Sequence, residues 1–184
     1  MTDFPVHTPE SASADAGDFM RELEKGYGFI PNLAGVMATA PALMQGYFQL
    51  NQLFEQTSLS APERQVVLLA ASFTNACDYC MGAHTALAEM AGVPQPSIDA
   101  LRAGEPLPDE RLEALRRFTK AVVDKRGHMP EPDLQAFYQA GFTPQHVLEV
   151  VLGVGMKTLS NYTNHIAGTP LDSAFAGKEW NPPA

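Results

Sequence analysis

Apolar residues recur at helical spacing along almost the whole chain, and this periodicity limits the fold more than any other feature of the sequence. The segment "LEALRRFTKAVV", for example, places Leu112, Leu115, Phe118 and Val122 on one stripe. Such spacing is that of the buried face of an α-helix. No segment shows the two-residue alternation of a half-buried strand. The sequence therefore predicts an all-α fold.

Capping residues divide this pattern into separate helices. Ser60 fits an N-cap and Glu63 follows three residues later, as a capping box requires. A further helix is expected to begin near Cys77 and to close at Gly92. Pro41 fits the first turn of another. The remaining predicted helices lie within residues 18–28, 32–57, 95–104, 109–127, 131–141 and 143–167.

The organisation of the chain is that of a single helical-bundle domain over residues 1–184, with a polar leader at 1–15 and an irregular tail at 176–184. Its 184 residues suffice for one well-buried core. We find no repeat and no low-complexity linker. Segments 32–56, 64–74 and 146–160 are apolar beyond what one small bundle is expected to cover. We therefore expect the domain to oligomerise through apolar helices.

The charge of the chain disfavours several classes of partner. A formal net charge of -9 and a sequence pI of about 4.9 disfavour binding to nucleic acid or to anionic membranes. No uncharged apolar run approaches the roughly 20 residues of a membrane helix. The start of the sequence lacks the basic and apolar regions of a secretory signal. We expect a cytoplasmic protein whose thiols are kept reduced.

The stretch "ACDYCMGAH" holds the only two cysteines, Cys77 and Cys80, with His84 four residues past the second. If a helix begins at Cys77, Cys80 lies about 60° and His84 about 20° round the helix from it. All three side chains then share one face, and Cys80 and His84 form a direct i,i+4 pair. This arrangement is a compact dithiol beside an imidazole, which favours redox chemistry.

Activation of a thiol requires its deprotonation, because the nucleophile is the thiolate and a free thiol has a pKa of about 8.5. The positive end of the helix would act mainly on Cys77, whereas the imidazole of His84 would act mainly on Cys80. The two effects favour different cysteines. The residues alone therefore leave open which sulfur attacks.

Other readings of the cysteine pair are less favoured. Zinc needs a fourth ligand, and the remaining histidines show no paired spacing, although His165 could fold back. Covalent haem attachment is excluded because Met81, not histidine, follows the second cysteine. A thioredoxin fold would place the cysteine pair after a strand, and the helical surroundings of this pair argue against that fold. The two cysteines can also be buried packing residues. We predict no cofactor and no bound metal.

The segment "ERQVVLLAASFTNACDYCMGAHTALAEMAGV", with "GYGFIPNL" before it and "LSNYTNHIAGTPLD" after it, resembles the carboxymuconolactone decarboxylase-like superfamily and, within it, the alkylhydroperoxidase AhpD-like branch. The likeness covers most of residues 25–175 and implies a homotrimer or hexamer. It implies an antioxidant peroxidase that reduces organic hydroperoxides, with an external dithiol as reductant. Two alternatives are a thiol–disulfide adaptor for a partner peroxidase and, less favoured, a lactone decarboxylase, since decarboxylase relatives generally do not depend on a CxxC pair.

The resemblance also implies roles for individual residues. Cys80 would attack the peroxide and become a sulfenic acid, Cys77 would condense with it to a disulfide, and His84 would pass the proton. The family places a glutamate twelve residues before the first cysteine, but Gln65 stands there and cannot accept a proton. Glu63 lies about 200° round the helix from Gln65 and is a weak candidate for the relay beside its capping role.

Two further sets of polar residues flank the predicted site. Tyr79 lies between the cysteines and is expected to pack, with orientation of the peroxide as the alternative. Asn161, Asn164 and His165 form a polar cluster after an apolar helix. For this cluster we favour capping and subunit contact over lining a pocket.

Overall fold

The chain folds into a bundle of α-helices, and the computed structural model describes residues 4–183. Residues 1–3 of the predicted leader and residue 184 of the predicted tail lie outside this range. No strand occurs within 4–183, so the all-α prediction is confirmed. The elements are α1 (Ala14–Tyr27), α2 (Asn32–Met37), α3 (Pro41–Glu55), α4 (Ala61–Thr74), α5 (Asp78–Met90), α6 (Gln95–Ala103), α7 (Glu110–Asp124), α8 (Glu131–Gln139), α9 (Pro144–Ala167) and a 3-10 turn, η1 (Ser173–Phe175).

The start of α4 shows why the sequence signals located the helices well. Ser60 Oγ accepts a hydrogen bond from the Glu63 backbone N–H at 3.4 Å, and Glu63 Oε2 accepts one from the Ser60 N–H at 2.8 Å. The predicted capping box is therefore present. Pro41 opens α3 as expected, and α1 ends at Gly28, whose φ of 80° suits the left-handed conformation of a helix C-terminus.

Helix α4 lies at the centre of the bundle. It packs against α5, α6, α7 and α9, and Val66, Val67 and Leu69 are fully buried. The apolar segment 64–74 is thus covered mainly within the chain itself. Helix α9 also packs on α2 and α3, so α4 and α9 together form the frame against which α5 is held.

One side of α9 is not covered. Leu148, Val151, Tyr162 and Ile166 are exposed although they are large and apolar. They belong to or adjoin the segment from which we predict oligomerisation, and that assembly stays a prediction. Among residues 4–183, no helix combines the length and the apolar character that crossing a bilayer demands.

The C-terminal segment, residues 169–183, is irregular apart from η1 but is docked against the bundle. Trp180 is buried, and its Nε1–H donates to the Arg102 carbonyl at 2.8 Å. The Arg102 guanidinium in turn donates to the carbonyls of Lys178 and Glu179. The segment therefore runs along α5 and α6 as an ordered part of the domain.

Replacing Gly153 by alanine is expected to destabilise the protein by about 1–3 kcal/mol, because overfilling a packed core forces its neighbours to move. An added Cβ would lie 2.9 Å from the Phe54 ring and from Val67. Gly155, on the same helix, has open space around its Cβ position. Gly155→Ala is the matched control and should be neutral or stabilising by up to about 1 kcal/mol. Urea unfolding measures both, and equal effects would contradict this packing.

Candidate active site

The turn between α4 and α5 fixes the first cysteine. Ala76 has a φ of 53°, an uncommon conformation for a residue with a Cβ. It allows the Cys77 N–H to donate to the Ser72 carbonyl at 2.9 Å. Cys77 is the N-cap of α5, so the predicted helix start is confirmed. Cys77, Cys80 and His84 are all buried.

The two sulfurs face the same side chain of α9. Asn164 Nδ2 lies 3.2 Å from Cys80 Sγ and 3.8 Å from Cys77 Sγ, and both thiols are free. Ser160 Oγ lies 3.8 Å from Cys80 Sγ. Asn164 therefore contacts the sulfurs directly instead of acting only as the cap or subunit contact that the sequence favoured. A single polar group shared by both sulfurs keeps them close together.

A buried lysine completes the site. Lys157 is 1% exposed, and its Nζ lies 2.9 Å from His84 Nε2. An ammonium group only donates, so His84 Nε2 is the acceptor and the ring proton is on Nδ1, which donates to Gln65 Oε1 at 3.1 Å. The sequence predicts His84 and Cys80 as an i,i+4 pair, but no hydrogen bond joins their side chains in the described part of the chain. Lys157 occupies the His84 lone pair instead.

The surroundings of the two cysteines shift their pKa values in opposite directions. Burial alone would raise the pKa of Cys80, but the hydrogen bond from the Cys77 thiol and the charge of Lys157 hold that pKa well below its ordinary value. The hydrogen bond to Cys80, together with burial, raises the pKa of Cys77. Cys80 is therefore the thiolate and Cys77 the thiol.

The charge states of His84 and Lys157 follow from the same contact. Burial and the neighbouring Lys157 charge hold the pKa of His84 well below its ordinary value, so its ring is neutral near pH 7. Burial acts to lower the pKa of Lys157, yet the opposing negative charge of Cys80 leaves that pKa raised. The site thus pairs a thiolate with an ammonium beside a neutral imidazole.

A cavity of about 460 Å³ opens onto this group of residues. Cys80, His84, Lys157 and Gln65 line it, whereas Cys77 does not. The rest of its wall is mainly aromatic and aliphatic and includes Phe29, Leu33, Tyr47, Phe48, Phe54, Leu68, Tyr79, Leu87 and Phe175. A small apolar molecule that enters the cavity therefore meets Cys80 and not Cys77.

Tyr79 is held by the C-terminal segment. Its hydroxyl donates to Asp172 Oδ2 at 2.6 Å, and Asp172 Oδ1 accepts from the Asn32 N–H at 2.8 Å. Burial and the Asp172 charge raise the pKa of Tyr79, so the phenol stays protonated. The hydroxyl is committed to Asp172, and the expected packing role agrees with this placement.

Glu63 is not brought together with His84. Its Oε1 accepts from Arg111 Nε at 2.8 Å and its Oε2 holds the Ser60 N–H, so both oxygens are engaged at the start of α4. Gln65, the residue at the position of the family carboxylate, contacts His84 instead. The geometry supports the capping role of Glu63, and its role in a relay stays an untested prediction.

The remaining predicted polar residues lie apart from the sulfurs. Asn161 Oδ1 accepts from Asn75 Nδ2 at 2.8 Å, and His165 is exposed on the last turn of α9. In the described part of the chain, no three His, Cys, Asp or Glu side chains are grouped to hold a metal. Lys157 was missed by sequence reasoning, although it is the only charged residue between Val150 and Asn164.

The comparisons with known proteins agree with this architecture. Residues 41–123, which include both cysteines and His84, match the sequence model of the carboxymuconolactone decarboxylase family. That segment is therefore similar to the carboxymuconolactone decarboxylase family. The resemblance found from the sequence is thereby confirmed. No curated protein gave a significant match.

Solved structures extend the likeness to nearly the whole chain. The alkylhydroperoxidase AhpD core of an uncharacterized peroxidase-related protein from Ralstonia eutropha superposes with a TM-score of 0.82 and 23% identity, over 94% of this chain and 93% of that one. A peroxidase-related protein from a Silicibacter species superposes with a TM-score of 0.79 and 19% identity, over 95% of this chain and 93% of that one. The debrominase Bmp8 in complex with 2,3,4-tribromopyrrole superposes with a TM-score of 0.76 and 16% identity, over 97% of both chains. The fold is that of AhpD-like proteins.

Replacing Glu63 by alanine is expected to lower the free energy of unfolding by about 1 kcal/mol, because the capping box of α4 is lost. The rate at which iodoacetamide alkylates Cys80 should not change. Ser60→Ala removes the other half of the same box and is the matched control. If Glu63→Ala alone slows the alkylation, Glu63 acts on the thiol and not only on the helix.

Proposed function

We propose that this protein is an antioxidant peroxidase that reduces organic hydroperoxides through Cys80 and Cys77. The observation that carries the proposal is the position of Cys80, which of the two cysteines is the one that lines the apolar cavity and the one whose pKa is held low. Peroxides react with thiolates and not with thiols. The largely aromatic and aliphatic wall suits the organic part of a hydroperoxide.

The chemistry balances with the groups present. The Cys80 thiolate attacks the terminal peroxide oxygen, the O–O bond breaks, and Cys80 becomes a sulfenic acid while an alkoxide leaves and takes up a proton. Cys77 then attacks the Cys80 sulfur, which forms the disulfide and releases water. In total, two thiols and one hydroperoxide give one disulfide, one alcohol and one water. An external dithiol returns the disulfide to two thiols.

The proposed oxidation is tested with reduced protein and cumene hydroperoxide under single-turnover conditions. We expect the loss of both thiols and an intact mass lower by two hydrogens, which indicates one intramolecular disulfide. The alcohol should form in equal amount to the disulfide. Unchanged thiols after peroxide treatment would overturn the proposal.

The order of attack is tested by two serine variants. Cys80→Ser is expected to abolish peroxide consumption, because Cys77 does not line the cavity and has a raised pKa. Cys77→Ser is expected to stop at the sulfenic acid, which dimedone traps on Cys80. If Cys77→Ser is inert while Cys80→Ser consumes peroxide, Cys77 is the attacking residue.

Burial bears on the adaptor alternative, in which the dithiol reduces a partner peroxidase. Both sulfurs are at most 1% exposed, so the disulfide of a folded partner would not reach Cys80 without movement of the cavity wall. This favours a small substrate in the first step. Fast reduction of a peroxidase disulfide, combined with slow peroxide turnover by this protein alone, would favour the adaptor.

A second candidate is the reductive removal of halogen from a small aromatic compound. The aromatic lining of the cavity favours it, and the debrominase Bmp8 binds 2,3,4-tribromopyrrole on the same fold. Here a bromoarene and two thiols would give the arene, bromide, a proton and the disulfide. The test incubates the reduced protein with 2,3,4-tribromopyrrole and measures bromide. Bromide release by the wild type but not by Cys80→Ser, together with no consumption of peroxide, would support this candidate over hydroperoxide reduction.

A further inference from the structure

We propose that Lys157 is a catalytic residue of this site: its ammonium group is the counterion of the Cys80 thiolate and gives its proton to the alkoxide that leaves the peroxide. The proton-transfer part rests on the proposed hydroperoxide reduction, whereas the ion pair does not. The role of proton donor thereby lies with α9 and not with the imidazole that the sequence pattern favours.

The first argument is the burial of the lysine charge. Lys157 is 1% exposed in the middle of a helix. Within residues 4–183 its Nζ has no carboxylate oxygen within 4 Å. A buried ammonium is stable only beside an anion or a set of strong acceptors. The neutral His84 ring supplies one acceptor, and the Cys80 sulfur is the anion that the site offers.

The second argument is that His84 has no free lone pair for the thiol proton. The ammonium of Lys157 occupies Nε2 at 2.9 Å, and Nδ1–H is directed to Gln65 Oε1 at 3.1 Å. Both ring nitrogens are therefore engaged before a substrate arrives. Gln65 fits this arrangement better than a glutamate would, because its carbonyl accepts the hydrogen bond but takes no proton from the ring.

The third argument is access to the substrate. Lys157, Cys80 and His84 line the same cavity, so the ammonium faces the space in which the O–O bond would break. Asn164 Nδ2 also donates to the Cys80 sulfur at 3.2 Å. The donors on α9 thus stabilise the negative charge on sulfur, and among them Lys157 is the cation whose proton the departing oxygen can take.

The protons balance over the cycle. In the resting state Cys80 is a thiolate and Lys157 an ammonium. After oxygen transfer Cys80 is a sulfenic acid, the alcohol has left, and Lys157 is a neutral amine. Disulfide formation releases water without a net proton change. When the external dithiol restores two thiols, Lys157 takes the proton of the Cys80 thiol, and the ion pair is restored.

The groups around the ion pair decide how the reactivity of Cys80 depends on pH. Helix α3 contributes Tyr47, whose pKa burial raises, so its phenol is neutral. Helix α5 contributes the Cys77 thiol, the neutral His84 ring and the neutral phenol of Tyr79. Helix α4 contributes Gln65, which does not titrate. Two charged side chains, Arg64 of α4 and Glu55 of α3, also line the cavity. Lys157 comes from α9. A change in Cys80 reactivity with pH therefore reports mainly on Lys157.

The test measures the rate of Cys80 alkylation by iodoacetamide against pH in the full-length protein and in Lys157→Met. Methionine has nearly the length of lysine and no charge, so the variant should fold with an unchanged or higher unfolding temperature. The wild type is expected to react at a nearly constant rate down to about pH 6. Lys157→Met should lose about a hundredfold in rate at that pH and regain it as the pH rises above about 8.5.

The variant Lys157→Arg distinguishes the role of Lys157 as a counterion from its role as a proton donor. A guanidinium keeps the positive charge but does not give up its proton, because its pKa exceeds about 12. This variant should keep the flat alkylation profile and lose single-turnover reduction of cumene hydroperoxide. Lys120→Met is the matched control, because Lys120 pairs with Asp124 on the surface of α7, and it should leave both measurements unchanged.

Each outcome decides between the two proposals. A flat profile in folded Lys157→Met overturns the ion pair, and full peroxide reduction by Lys157→Arg overturns the proton donation. If the wild type consumes no peroxide but its alkylation depends on Lys157 as expected, the hydroperoxide function fails with the proton donation, and the ion pair stands.

Discussion

The structure depends on one electrostatic constraint, the presence of a lysine charge inside a bundle of apolar helices. A buried ammonium with no carboxylate beside it requires an anion within reach. The sulfur of Cys80 meets that requirement, and each group holds the other in its charged form. The hydrogen bond from Cys77 and the charge of Lys157 act together to lower the pKa of Cys80, the cysteine that we propose as the attacking residue.

Rigid elements hold this pair in place. Lys157, Ser160 and Asn164 follow one another at intervals of three and four residues, so they lie on one face of α9. That face meets the first turns of α5, where the cysteines lie. Because α4 fills the space behind both helices and supplies Gln65, neither helix can shift without disturbing the packed core.

Local signals predicted the helices, whereas contacts between distant residues decided the site. The capping box at Ser60, the proline of α3 and the N-cap at Cys77 depend on neighbouring residues, and they were predicted from the sequence. The contact between Lys157 and His84 joins residues 73 positions apart, which no periodicity reveals. A lone charge in an apolar helix was nevertheless a signal, since such a charge is buried only when it is paired. Glu63 illustrates the reverse case, in which a charged residue near the motif serves the helix end.

The docked C-terminal segment has a consequence for selectivity. Asp172 ties this segment to Tyr79 and to the start of α2, and Phe175, three residues later, forms part of the cavity wall. A stretch of irregular chain therefore forms part of the cavity wall, and it is held there by contacts such as the hydrogen bond from Trp180 to the Arg102 carbonyl. A change at Phe175 would thus alter the shape of the space beside Cys80 without replacing any residue of the thiolate site itself.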